Sequence, residues 1–175
     1  MVSPSVSDAH RYRSNNWNNQ VARHALMTPD RTAFRFLGES ITWSQLGERV
    51  EKLADALSRR GIGFGDRIII LMLNRPEYVE IVLAANAIGA IAVPVNFRLT
   101  ASEVAFLVAD SGAKAIVAEG PLVPLAAAAR AQSEGIDLAI TIGAEPEGDA
   151  VSYDASWPKR AIRTRRSISR TTLRR

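Results

Sequence analysis

The 175-residue chain contains no cysteine. Disulfides, thiolate nucleophiles and cysteine-based zinc sites are therefore excluded within it. Histidine is nearly as scarce, with His10 and His24 the only two. Neither has a second histidine or a carboxylate at metal-ligand spacing, and both read as surface or capping residues rather than catalytic ones. Neither G-x-S-x-G nor H-E-x-x-H occurs, so a nucleophile elbow and a zinc-protease helix are absent too. Long apolar runs are also missing. The most apolar stretch, Ile81 to Val95, is interrupted by Asn86, Gly89 and Pro94 and is too short to span a bilayer. The opening "MVSPSVSDAHRYRSNNWNNQ" has no apolar core. No signal peptide is read there, and a cytoplasmic location is expected.

Acidic residues are absent from one place. From Trp157 to Arg175 there are eight Lys or Arg and no Asp or Glu. The whole chain has 22 basic and 18 acidic residues, so the first 156 residues hold 14 basic against all 18 acidic. The formal charge of +4 thus hides a mildly acidic body with a basic end. Apolar residues make up 47% and charged residues 23%, a globular rather than disordered composition, and the length suits one domain with a real core.

The body reads as alternating elements. Trp17, Val21, Ala25 and Leu26 fall at helical spacing before Pro29. Ala33 to Leu37 and Ser40 to Thr42 are short strands around Gly38-Glu39, a hairpin. "TWSQLGERVEKLADALSRRG" is the clearest helix. Thr42 can cap it, Leu46, Val50, Leu53, Ala54 and Leu57 form its stripe, and Gly61 suits its C′ position. Arg67 to Leu73 is a strand buried on both faces. A helix follows from Pro76 and stops before Gly89. "AIAVPV" is a further buried strand. Thr100 to Glu103 is a capping box that opens a helix running to Ser111-Gly112. "AKAIVAE" is a strand, Pro121 to Gln132 an Ala-rich helix, and "DLAITIG" a last strand. This order predicts an α/β fold with a mostly parallel sheet.

Three sets of residues invite functional readings. "GIGFGD", Gly61 to Asp66, has the glycines of a phosphate loop. It follows a helix and opens a strand, the reverse of the context such a loop needs, so it reads as a helix stop and a turn. Glu48, Glu51, Asp55, Glu77 and Glu80 read as solvated helix faces beside partners such as Lys52. Trp17 and Trp43 read as core anchors. Residues alone thus give an α/β scaffold with no visible chemistry.

A longer pattern says more. Thr42-Trp43, "GIGFGDR", "LMLNRPEY", "IGAIAVPVNFRL" and "VADSGAK" occur in one order and spacing between Thr42 and Glu119. This stretch closely resembles the N-terminal part of the AMP-dependent synthetases, the acyl-adenylate-forming enzymes, and most of all the fatty-acyl-CoA synthetases of mycobacterial type. The resemblance implies the start of that family's large domain, truncated. It implies an enzyme that activates a fatty-acid-type carboxylate with Mg-ATP to an acyl-adenylate and passes the acyl group to coenzyme A. The family's phosphate loop, adenine- and ribose-binding residues and mobile lysine lie further along its chain, and none of them matches here. No catalytic, cofactor-binding or metal-ligating residue is therefore carried over, and no cofactor is expected on this chain alone.

The resemblance fades after Tyr153-Asp154, where the basic end begins. With GC-rich codons for Trp157 to Arg175, reading one base earlier gives an acidic, Pro-containing peptide ending Asn-Asp-Ser-Pro-Ala. That resembles the family's approach to its phosphate loop. The expectation is a frameshift near Ala155-Ser156. The chain then divides into a disordered lead-in (1–15), a partial α/β subdomain (16–154) and a disordered, out-of-frame tail (155–175). No nucleic-acid partner is expected. The alternative is a non-enzymatic α/β module whose basic tail binds nucleic acid. A third reading is a free-standing acyl- or partner-binding module. Truncation further implies exposed sheet edges and apolar surface through which the chain self-associates.

Overall fold

In the computed structural model residues 16–153 are described. The expected lead-in with His10 and the expected tail lie outside them. Helix α1 (Trp17–Met27) begins where Asn16 accepts a hydrogen bond from the Asn19 amide at 2.8 Å. Strands β1 (Thr32–Phe36) and β2 (Glu39–Thr42) pair antiparallel, with Phe36 opposite Glu39. The turn is therefore Leu37-Gly38, one residue earlier than expected. Both residues have positive φ, 48° and 85°, as a type I′ turn requires.

Helix α2 (Trp43–Arg59) starts on a full capping box. The Gln45 amide donates to the Thr42 hydroxyl, and the Thr42 amide donates to the Gln45 side chain. Gly61, at φ 83°, follows its end. Leu46, Val50, Leu53, Ala54 and Leu57 are all buried, as the stripe predicts. Strand β3 (Arg67–Leu71) stops two residues short of the expected end. Helix α3 (Pro76–Ala87), strand β4 (Ile91–Pro94), helix α4 (Ala101–Ser111) and strand β5 (Ala115–Glu119) follow. The capping box at Thr100 and Glu103 is present, and Gly112 closes α4 in the left-handed region. A 3-10 turn (Gly120–Leu122) leads into helix α5 (Val123–Arg130), shorter than the expected Pro121 to Gln132 helix. Strands β6 (Leu138–Ile142) and β7 (Val151–Ser152) end the described chain. β7, two residues long, has no sequence signal of its own.

β3 to β7 form one parallel sheet in the order β4-β3-β5-β6-β7. Alternation along β3 sends Ile68 and Ile70 to one face and Ile69 and Leu71 to the other. The first face packs on α2 and α3 through Leu53, Leu57, Ile81 and Ala84. The second packs on α4 and α5 through Val104, Val108, Val123 and Ala126. A smaller core of Val21, Ile41, Leu46, Val50 and Leu83 seats α1 and the hairpin on the outside of α2 and α3.

Two expectations need correction. Trp17 is 76% exposed and Leu26 is exposed as well, because α1 meets the body through Val21 and through Ala25 beside Gly47. Trp17 is no core anchor. β4 is not a buried strand. It is the sheet edge, and Ile91 and Pro94 are exposed. Phe64, Phe97 and Phe106 are also exposed. Among the described residues, no helix is long and apolar enough to cross a membrane.

Candidate functional site

The strand order places a topological switch point beside β3. The chain passes from β3 to β4 on one side and then returns to β5 on the other. In open parallel sheets, ligands sit beyond the carboxyl ends of the strands at such a point. Here that position follows Leu71 of β3 and Glu119 of β5, where Arg75, Glu77 and Glu119 meet.

Arg75 precedes Pro76, so its N–H lies ahead of the helix rather than within it. Its side chain folds onto the first turn of α3. Arg75 Nε donates to Glu77 Oε2 at 3.2 Å. The same nitrogen lies 4.0 Å from Glu119 Oε2, an electrostatic neighbour but too far for a hydrogen bond. Glu119 is 4% exposed, and its Oε2 has no hydrogen-bond partner. Gly143 and Gly120 let the backbones close over the guanidinium. A Cβ on Gly143 would lie 3.2 Å from Arg75 Nη1, and one on Gly120 would lie 3.2 Å from the Gly143 carbonyl.

One turn along α3, Glu80 is 1% exposed. Arg49 of α2 donates to its Oε1 at 2.8 Å. The Tyr153 hydroxyl, just past β7, donates to its Oε2. Burial, and then the neighbouring Glu80 charge, push the Tyr153 phenol well above its ordinary range, so it stays protonated. The reading of Glu77 and Glu80 as solvated is therefore wrong. Both are buried, Glu77 beside Arg75 at the start of its own helix and Glu80 between Arg49 and Tyr153 from other segments. Glu48, paired with Lys52 at 2.6 Å, and Asp55, paired with Arg59 at 2.7 Å, lie on an exposed face as expected. Sequence reasoning missed the cluster although a signal was present. Glu77, Glu80, Ile81 and Ala84 lie on one helical stripe, and that stripe is the buried one.

The Gly61 to Asp66 turn is a structural knot. The Gly61 and Ile62 amides donate to Ser58 and Leu57 carbonyls, and the Gly65 amide to Gly89. The Gly63 amide donates to the Asp66 carboxylate at 2.9 Å, and the Asp66 amide donates back to Gly63. Lys114 lies 2.8 Å from Asp66. That hydrogen bond, and then the Gly63 amide, hold the Asp66 carboxyl below its usual range. Arg67 donates to the carbonyls of Gly65 at 2.6 Å, Ser111 at 2.5 Å and Gly112 at 2.6 Å. His24 is exposed and stacks on the Trp43 ring at 4.5 Å between centroids, while Trp43 is only half-buried against the small core.

A nucleotide phosphate needs free amides or uncompensated cations. The amides of Gly61, Ile62, Gly63, Gly65 and Asp66 are consumed internally. The Arg75 guanidinium is already engaged by Glu77 and neighboured by Glu119, so it is not an uncompensated cation. Neither of these two places is built to take a nucleotide phosphate. Among them, no group of three or more His, Cys, Asp or Glu is placed to hold a metal ion. What the cluster does is fasten α2, α3, β5 and β7 together at one end of the sheet.

Comparison with known proteins places this scaffold. The profile of the family described as AMP-binding enzyme matches residues 21–169, running past Tyr153 into the basic end. A feruloyl-CoA synthase of Amycolatopsis is 41% identical over 95 residues, 54% of this chain and 19% of that protein. A long-chain-fatty-acid–CoA ligase of Mycobacterium tuberculosis is 39% identical over 94 residues, again 54% and 19%. Among solved structures, a protein described as a long-chain-fatty-acid CoA ligase of Rhodopseudomonas palustris superposes with a TM-score of 0.77 at 33% identity. The match covers 83% of this chain and 37% of that one. The matched region is thus about a fifth of the curated relatives and little more than a third of that structure.

Proposed function

The chain belongs to the AMP-binding enzymes, and from that premise we propose that it is the N-terminal scaffold of an acid–thiol ligase. The full-length reaction would be carboxylic acid, ATP and coenzyme A to acyl-CoA, AMP and diphosphate, with Mg supporting the ATP. The observation that carries the reading is the parallel sheet, shared at a TM-score of 0.77 and 33% identity with a protein described as a fatty-acid CoA ligase. A fatty-acid-type carboxylate is the proposed substrate.

The chain by itself is proposed to be inactive. Its phosphate-handling parts are absent by resemblance, and the described residues supply no substitute. The 175-residue chain should show no acid-dependent exchange of diphosphate into ATP with palmitate, octanoate or ferulate. Exchange with any of them overturns the inactivity reading. Exchange confined to ferulate overturns the fatty-acid reading as well.

We also propose that the basic residues after Asp154 are read out of frame, with the slip near Ala155-Ser156. The support is the charge reversal at that point and the acidic peptide in the neighbouring frame. The family match to residue 169 weighs against so early a slip. The gene sequence beyond codon 156 decides. A synthetase-like frame continuing downstream is the expected result, and its absence sinks the idea. The basic nucleic-acid-binding tail would then regain ground, and salt-sensitive DNA or RNA binding would be its mark.

A further inference from the structure

β4 is an uncovered edge of a parallel sheet among the described residues. Such an edge is a template on which a second copy can add a strand. The hydrogen bonds show which groups face inward. The Ile91 amide donates to the Asp66 carbonyl at 2.7 Å, and the Val95 amide to the Ile70 carbonyl at 2.9 Å. In a parallel ladder, alternate residues bond to the same neighbour. Ile91, Val93 and Val95 therefore face β3, and Ala92 and Pro94 face outward. Pro94 has no N–H, and its ring occupies the outward position where an incoming carbonyl would bind. Of the two outward residues, only Ala92 retains a donor. The inner ladder loses nothing, because it never uses an amide at residue 94.

We propose that Pro94 closes the β4 edge to strand addition by a second copy of this chain. A second copy then cannot extend the sheet from this edge. The inference is independent of the enzymatic reading, since it rests on the ladder alone.

The test compares the full chain with Pro94→Val and Pro94→Ala. Static light scattering and thioflavin T fluorescence are followed against protein concentration, with a urea melt as a check on folding. Both variants restore an outward N–H. Each should lower the onset concentration of thioflavin-positive assembly roughly tenfold, the factor that about 1.4 kcal/mol, one net hydrogen bond, supplies. The double variant Ala92→Pro with Pro94→Val removes the other outward donor and should return the onset to that of the unsubstituted chain. An unchanged onset in both single variants with an unchanged urea midpoint overturns the proposal. So does thioflavin-positive assembly of the unsubstituted chain at the same concentration. A gain that persists in the double variant overturns it too, since the ladder would not be its cause.

Discussion

Leu37 occupies a place that chemistry reserves for other residues. Its φ of 48° is the one positive value among the described non-glycine residues, and its side chain is 88% exposed. A left-handed leucine costs roughly 1–2 kcal/mol, and the type I′ turn favours Asn-Gly. Leu37→Asn should therefore raise stability by about 1 kcal/mol, read as a higher urea midpoint. A lower midpoint would mean that Leu37 makes a contact worth more than its strain. Tyr153 gives a prediction of opposite sign. Its folded pKa is raised, so its contribution is complete below the unfolded pKa of about 10 and is lost as pH rises beyond it. From about pH 10 up to the raised folded pKa, the unfolded phenol ionises and the folded one does not. Tyr153→Phe should lower stability at neutral pH by about 1–3 kcal/mol, because a buried Glu80 oxygen loses its donor. It should also flatten the decline above pH 10. Melts across neutral and alkaline pH separate the two effects, and an unaltered alkaline slope would acquit Tyr153.

Elements were legible where a local cause sets them. Thr42, and Thr100 with Glu103, announce helices that begin where predicted, because a cap is decided within four residues. β3 reads as buried on both faces because Ile68 to Leu71 are apolar without alternation. The misreadings share a different cause. Whether β4 is central or an edge depends on strand order, which no single strand encodes. Whether Glu80 is solvated depends on Arg49 and Tyr153, which are far away in sequence. The same non-local logic makes Arg67 informative. It ties the turn before β3 to the end of α4 through three carbonyls. Arg67→Met should cost about 2 kcal/mol, since the Ser111 and Gly65 carbonyls lose a charged donor while the exposed Gly112 carbonyl regains water. Amide hydrogen exchange at Ala113 and Lys114 should accelerate. A melt shifted without faster exchange there would place the loss elsewhere.

At the scale of the molecule, residues 16–153 form a continuous scaffold. Two faces of one sheet are covered, and the charged groups beneath its carboxyl end are mostly paired. This predicts a cooperative urea transition for the 175-residue chain. Two separated transitions, one for the small outer core and one for the sheet, would show that α1 and the hairpin fold apart from it. The lock between Glu80 and Tyr153 also has a consequence in time. The two residues are 73 apart in the chain. At ribosomal rates of roughly 5–20 residues per second, Glu80 leaves the peptidyl-transferase centre about 4–15 s before Tyr153 is even made. Until then the nascent helix carries its carboxylate with Arg49 alone. The emerging sheet has no closing strand, and a chaperone that grips the nascent chain has those seconds in which to act.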